Sequence, residues 1–595
     1  MDKIAVLDFG GQYANLIANK IRRMGVFTEI HDGDCSVDEL RDYKGIVLSG
    51  GPASVSGPDA LVCDARLFEL GVPVLGICYG HQLMAHTLGG VVEKGHVMEY
   101  GQAEVNISDR TDLFEGLKES ETVWMSHFDQ VSKVPEGFEI VASTEDCPIA
   151  ATKDTKRNFY SIQFHCEVTH TPCGRQILEN FVQITGAKRE WSIDGYIEDI
   201  TAQIQKQAEG KRVFLMISGG VDSTVAFLLL AKALGHENVY GLFVDIGFMR
   251  LNEREEVEES LKGIGVENLH VYDAGAEYFE ALKGVYEPEE KRKIIGNLFL
   301  DVQAKVSDEL GLNPDEWLLG QGTIYPDTIE TGGTKHAHTI KTHHNQVPRV
   351  KEMMEQGKVI EPINQLYKDE VRLVGARLGL SEKMTWRHPF PGPGLAVRTL
   401  CAKAADVVEV SDEMRAVAEK FGMKITILPI KSVGVQGDER TYAHPAVVYG
   451  KRIPWKELNS LATQLTNQFP EVNRVVYGLS PSSFDSLTVQ DSYLTPERIL
   501  TIQKADKVVM DFLTESGIHR DIWQFPTVLV PVQVGGSGES IVLRPVCSEE
   551  AMTANFYEMS DEHLDDLVRR LSAVEGVGGI FYDITNKPPG TIEWE

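Results

Sequence analysis

The sequence predicts an α/β chain: two parallel-sheet α/β domains followed by an α+β C-terminal region with an internal duplication. Three observations predict this. Short apolar strands alternate with helical patterns over residues 1–190. A second alternation of the same kind starts at Val213. The last two hundred or so residues contain two similar stretches in the same order.

In the first stretch the candidate strands are Ile4–Asp8, Gly45–Leu48, Val72–Ile77, Glu121–Met125 and Phe159–Phe164, with helices at Gln12–Met24 and Tyr79–Leu88. Strands alternating with helices imply parallel construction. The pattern breaks at TGAKREWSID, a candidate boundary. The second stretch offers a strand at Val213–Ile217, a helix at Ser223–Leu234, strands at Tyr240–Asp245 and Leu269–Tyr272, and a helix around Lys291–Leu310. Glycine, threonine and histidine crowd Gly320–Asn345, which reads as a long active-site loop. HPFPGPGL, with three prolines and two glycines, punctuates the chain again. Beyond it, Ile425–Val448 parallels Phe525–Cys547, and Val472–Pro481 parallels Gly576–Pro589. Chance likeness between glycine-rich hairpins is the alternative; order and spacing both repeat, which favours duplication. The expected domains are therefore 1–190, 191–401, 402–481 and 482–595.

Composition narrows the function classes. The 595 residues are 42% hydrophobic and 25% charged, an ordinary globular balance. The net charge of −30 makes a general nucleic-acid binder unfavourable, because an acidic surface repels phosphate backbones. No apolar run reaches the roughly 18–20 residues of a membrane span, and the N-terminus enters strand-like sequence at once. None of the eight cysteines forms a CxxC pair, so a zinc ribbon or redox dithiol has no support. A reducing, cytoplasmic setting is expected.

VPVLGICYGHQLMAHTLGG reads as strand, sharp turn and helix, with Cys78 at the turn. This is the layout of a nucleophile elbow. A helix N-terminus favours the thiolate form of a cysteine placed there. A buried structural cysteine is the alternative. YSIQFHCEV supplies a partner: His165 and Glu167 are two apart, so on a strand both point to one face, with Cys166 opposite. A histidine can take the thiol proton and return it to a leaving amine, while a carboxylate fixes its tautomer. GGPASV, after the strand Gly45–Leu48, offers backbone N–H groups for an oxyanion hole.

LSGGPASV, GICYGHQ and QFHCEVTH resemble the class I (triad) glutamine amidotransferases. The resemblance implies glutamine hydrolysis through a thioester, with Cys78 as nucleophile, His165 as base and Glu167 orienting it. It also implies Gly51 and Tyr79 as oxyanion N–H donors and Gln82 as a glutamine contact. Cys166 stands where the usual motif has proline; it lies on the opposite face, so activity is expected to survive.

VFLMISGGVDSTVAFLLLAKAL is a strand, a glycine-rich turn and an apolar helix. Small residues at a helix start make an anion site, and the absence of GK[ST] separates it from a Walker A loop. A tight turn capped by Ser218 is the alternative. SGGVDS resembles the PP-loop of ATP pyrophosphatases, which implies that Ser218, Gly219, Gly220, Val221, Asp222 and Ser223 cradle the pyrophosphate of ATP. Asp222 is the candidate Mg²⁺ ligand by charge. Val244 and Asp245 end the next strand and are expected near adenosine.

KRKIIGNLF, QGTIYPDTIE, IKTHHN, EPINQLYKDEVR, RHPFPGPGLAVR, SVGVQGD and KPPGTIEWE resemble the glutamine-hydrolysing GMP synthetases, over essentially the whole chain with the N-terminal motifs included. The resemblance implies glutamine, ATP and xanthosine monophosphate (XMP) as substrates, with adenylation of XMP and its amination to GMP. It further implies XMP contacts from Asp438, Arg440, Gln524, Lys587 and Glu593. Ile246 replaces an asparagine common in that family. The competing readings are another ATP-dependent amidotransferase and a nucleotide sensor with decayed sites. His336, His338, His343 and His344 fit no standard zinc spacing; an adenylation-site loop is the preferred reading. Two related C-terminal copies in one chain predict a monomer with an intramolecular pseudo-dimer, a homodimer being the alternative.

Overall fold

The computed structural model describes the chain apart from residues 12, 59, 265, 267, 310, 312–315, 329–355, 357, 437–438, 537 and 549–553; at 96–98, 307, 436, 439 and 440 only the backbone is described. The chain divides into two compact units. The first comprises Met1–Lys206, Gly322–Gln356 and Glu361–Arg377; the second comprises Gln207–Gln321, Gly357–Ile360 and Leu378–Glu595.

The first unit is built on a nine-stranded sheet of β1 (Lys3–Asp8), β2 (Phe27–Asp32), β3 (Gly45–Leu48), β4 (Val74–Ile77), β5 (Val91–Ile107), β6 (Ser120–Lys133), β7 (Glu139–Ser143), β8 (Ala151–Asp154) and β9 (Phe159–Ile162). Their order is β2-β1-β3-β4-β9-β8-β7-β5-β6. The five strands from β2 to β9 run parallel, and the remainder are antiparallel. The parallel core matches the expectation, and the sheet as a whole is mixed. β3 and β4 are buried at every position, as apolar runs covered on both faces must be. Helix α1 (Ala14–Arg22) buries Ala14, Ile17, Ala18 and Ile21, a stripe at helical spacing. Helices α2 (Tyr79–Thr87) and α3 (Gly174–Thr185) follow β4 and β9. The expected strand through Val168 stops at Ile162. Beyond it only His165 keeps a bridge, to Trp124 of β6, because the chain bends there to reach the long β5–β6 pair.

Helix α4 (Ile193–Ala208) leads to the second unit. Its first sheet contains β10 (Arg212–Ile217), β11 (Val239–Asp245), β12 (Leu269–Asp273), β13 (Trp317–Gly320) and β14 (Val359–Ile360). All pairings are parallel, in the order β12-β11-β10-β13-β14. Strand order therefore reverses at β10, the topological switch point where open α/β sheets bind ligands. Helix α5 (Val221–Leu234) follows directly and is buried almost all round.

The C-terminal strands are β15 (Met423–Ile427), β16 (Ser432–Gln436), β17 (Glu439–Gly450), β18 (Val472–Ser480), β19 (Leu487–Val489), β20 (Thr527–Val530), β21 (Val532–Val534), β22 (Glu539–Leu543), β23 (Val546–Cys547), β24 (Asn555–Phe556) and β25 (Val577–Asp583). The main sheet runs β15-β17-β18-β25-β22-β20, with β16 paired to β17. Each half has an antiparallel outer pair and a parallel inner pair, and β18 meets β25 antiparallel at the centre. Helix Trp455–Gln468 precedes β18 and helix Asp561–Leu571 precedes β25.

Candidate active sites

β4 ends at Ile77 and α2 begins at Tyr79, leaving Cys78 alone in the turn with φ 53° and ψ −104°. Positive φ is costly for a residue with a Cβ and persists only where its surroundings impose it. Two backbone bonds do so: Cys78 N–H donates to Ile162 O at 2.8 Å, and Gly80 N–H to Ser49 O at 3.0 Å. Gly80 has no room for a side chain, since a Cβ there would lie 2.2 Å from Leu48 O.

His165 Nδ1 lies 2.6 Å from Glu167 Oε1. The carboxylate accepts, so the hydrogen sits on Nδ1 and Nε2 is left for the thiol. Both side chains are buried, with Glu167 fully enclosed. Burial works to lower the His165 pKa, but the Glu167 carboxylate and the Cys78 sulfur outweigh it and hold the imidazole well above its ordinary value. The β3 turn closes on the pair. A Cβ on Gly50 would stand 3.2 Å from the His165 ring and 3.8 Å from Cys78 Cβ, and one on Gly51 3.3 Å from the Tyr79 ring. Tyr79, as the first residue of α2, has an N–H with no intrahelical acceptor. The structure thus gathers Cys78, His165, Glu167, Gly51 and Tyr79. Cys166 is buried in the apolar core.

Gln82 sits one turn along α2. Its amide donates to Asp129 O at 2.6 Å and to Gln163 Oε1 at 3.2 Å. Gln163 and the Ser126 carbonyl, both absent from the sequence reading, approach Cys78 Sγ at 3.8 and 3.7 Å. Gln163 lies inside QFHCEVTH two residues before His165, so the period of two that puts His165 and Glu167 on one face puts Gln163 there as well.

At the second site, the loop after β10 carries Ser218, Gly219 and Gly220, and α5 opens with Val221, Asp222 and Ser223. Ser223 Oγ accepts from Ser218 N–H at 3.1 Å and shares a hydrogen bond with Ser218 Oγ at 3.1 Å. Gly219 has φ +76°, a conformation suited to glycine. Arg387, which sequence reading passed over, donates to Gly219 O at 3.1 Å and pairs with buried Glu253. Val244 and Asp245 end β11, the neighbouring strand. The four histidines from His336 to His344 lie outside the described residues.

The third group lies around the C-terminal tail. β23 pairs with β24, Gln524 bridges to Val546 and Lys587 bridges to Ala554, so one short ladder joins the strands of Gln524 and Lys587. Glu593 receives a fork from the buried Arg398 guanidinium at 2.8 and 3.1 Å. Val435 N–H donates to Pro589 O at 2.7 Å, and Val435 pairs with Arg440. The β16–β17 hairpin therefore runs beside the tail; Asp438 lies outside the described residues. Asp583 anchors this region, bound by Arg474 at 3.0 Å, Arg544 at 3.1 Å and Trp594 Nε1 at 2.9 Å. Burial, opposed by Asp583 and assisted by Arg544, pushes Arg474 down to about 10.

Comparison with known proteins matches three family models along the chain. The class-I glutamine amidotransferase model matches residues 5–184, the NAD synthase model 193–299, and the GMP synthase C terminal domain model 407–484 and 511–594. A protein of Leptospira interrogans named "Probable GMP synthase (glutamine-hydrolyzing)" is 44% identical over 604 residues, covering 100% of this chain and 99% of its own. The GMP synthases (glutamine-hydrolyzing) of Paraburkholderia phytofirmans and Geobacillus kaustophilus are 43% and 42% identical, each over 80% of this chain and 98% of its own. Similarity at this level over the whole length shows that the chain belongs to the glutamine-hydrolysing GMP synthase family.

Proposed function

We propose that this GMP synthase works through two chemically separate sites. At the first, the Cys78 sulfur attacks the side-chain amide carbon of glutamine. His165 takes the thiol proton and gives it to the departing ammonia, and water then releases glutamate from the thioester. Gly51 and Tyr79 N–H groups face the oxyanion, and Gln82 helps to hold the glutamine.

At the second site, the XMP 2-oxygen attacks the α-phosphorus of ATP and pyrophosphate leaves. Ammonia then adds at the activated carbon and AMP departs, giving GMP. A carbonyl oxygen is a poor leaving group, which is why adenylation precedes amination. Ser218, Gly219, Gly220, Val221 and Ser223 cradle the pyrophosphate and Val244 flanks the adenosine. Asp222 and the phosphate oxygens are hard donors that suit Mg²⁺; the ion supplies neutralisation of the phosphate charge. Lys587 and Arg440 take the XMP phosphate, while Asp438, Gln524 and Glu593 contact the rest of XMP.

Segments 402–481 and 482–595 are, under this reading, two copies of one domain packed as an intramolecular pseudo-dimer. The matching strand registers of the two halves support it, as do the two separate matches to one family model. The observation that carries the function is the buried Cys78–His165–Glu167 constellation in one chain with the phosphate loop and the GMP synthase C-terminal segment. Incubation with ATP, Mg²⁺, glutamine and one of several nucleotides, with products identified by mass, tests it. GMP, AMP and pyrophosphate are expected from XMP alone. Amination of another nucleotide with XMP untouched, or no turnover of any, overturns it in favour of a different amidotransferase or a sensor.

A further inference from the structure

Cys147 is fully buried behind the β5–β6 pair, and Glu99 and His127 beside it are nearly so. One donor atom from each of the three lies within 4.8 Å of the others. None of them takes part in the chemistry above.

The hydrogen bonds of His127 leave a specific gap. Its Nδ1 faces the Asp129 carbonyl at 3.1 Å. A carbonyl only accepts, so the ring hydrogen sits on Nδ1. Nε2 of the neutral ring then presents a lone pair, yet 3.0 Å away it meets Glu99 Oε2, another acceptor. Two facing acceptors need a positive centre between or beside them: a second proton on the ring, or a cation. The Cys147 thiol on the same cluster points toward a cation, because a thiol that gives up its proton to an ion, an imidazole nitrogen and a carboxylate oxygen together are the ligand set of zinc-class ions. Burial and Glu99 otherwise hold that thiol protonated, pushing its pKa up to about 12.

Donors on a tetrahedral zinc at about 2.0–2.3 Å stand roughly 3.3–3.7 Å apart, so the Nε2–Oε2 contact of 3.0 Å opens by a few tenths of an ångström to admit the ion, and the donor atoms, all within 4.8 Å of one another, draw in around it. Outer contacts already orient the ligands, as metal sites require. Asp129 O fixes the His127 tautomer, and Thr144 Oγ1 donates to Glu99 Oε1 at 2.9 Å, leaving Oε2 for the ion. Thr144 Oγ1 also accepts from Cys147 N–H at 2.9 Å, tying that loop to the same hydroxyl.

We propose that Glu99 Oε2, His127 Nε2 and Cys147 Sγ bind one divalent transition-metal ion of the zinc class, with a fourth position open to water. Binding replaces the Cys147 thiol proton, which passes to solvent; no oxidation occurs. The ion braces the strand that carries Ser126 and Asp129, whose carbonyls face Cys78 Sγ and the Gln82 amide. It is a positioning site, since no ligand touches the thiol of Cys78.

Titration of the full-length, metal-stripped protein with Co²⁺ tests this, because cobalt bound to thiolate gives a near-ultraviolet charge-transfer band. One equivalent is expected to produce the band in wild type and in Cys78→Ser, and none in Cys147→Ser. Glu99→Gln, nearly isosteric and able to keep its Thr144 contact, is expected to weaken Co²⁺ binding about tenfold or more. Circular dichroism checks that each variant is folded. A folded wild type that develops no thiolate band overturns the proposal and leaves an imidazolium–carboxylate pair. A band that survives in Cys147→Ser, or an unchanged affinity in Glu99→Gln, overturns it as well.

Discussion

Tyr477 of β18 and Tyr582 of β25 pair with each other at the centre of the seven-stranded sheet. Each also holds the same place in its own half: Tyr477 lies beside Val448 of β17, and Tyr582 beside Leu543 of β22. Val448 and Leu543 in turn pair with Ile425 and Thr527. A two-fold relation through the Tyr477–Tyr582 pair thus relates six strands of one chain, the arrangement two subunits make across an isologous interface.

Under the proposed duplication, an internal two-fold covers the surface that a dimer would bury. Light scattering is therefore expected to give a concentration-independent mass near the chain's 66.1 kDa. A stable mass near twice that value contradicts the intramolecular pseudo-dimer.

The two-site division makes Cys78→Ala selective. Glutamine-dependent GMP formation is expected to vanish, while synthesis from added ammonium persists at close to the wild-type rate. Loss of both activities in a folded variant rules the division out.

Lys587→Ala and Arg440→Ala are each expected to raise the KM for XMP about tenfold or more, since a hydrogen bond to a charged group contributes about 1.5–3 kcal/mol. Glutaminase activity measured without XMP should not change. Unaltered XMP kinetics in both variants would remove them from the phosphate site.

His81 gives a pH dependence. Its ring is buried with Nδ1 2.7 Å from Ser161 Oγ, and burial pushes its pKa down to about 3. The unfolded chain takes up this proton below about pH 6.5, whereas the folded protein does not until about pH 3. This contribution is present in full above pH 6.5 and is lost progressively as pH falls toward 3. By pH 5 the loss is about 2 kcal/mol. In His81→Gln the drop in the first thermal midpoint between pH 7.5 and pH 5 should shrink by roughly 4–8 °C relative to wild type. Equal drops in both proteins would show that His81 does not titrate between the two states.

The sequence by itself determined what local geometry encodes. Strand, turn and helix around Cys78 lie within twenty residues, and so do those around Ser218–Ser223, so strand ends, small residues and helix starts were legible there. His165 and Glu167 were legible through a period of two, which survived although the strand ends at Ile162. Tertiary structure alone decided the long-range partners. Gln163 reaches Cys78, Arg387 reaches Gly219 and Arg398 reaches Glu593, across 85, 168 and 195 residues. It also set Tyr477 against Tyr582 and gathered Arg474, Arg544 and Trp594 on Asp583. The physical reason is that a buried charge or an unpaired strand edge needs a partner but does not specify one. Which partner arrives depends on how whole sheets pack, and no local pattern of residues records that.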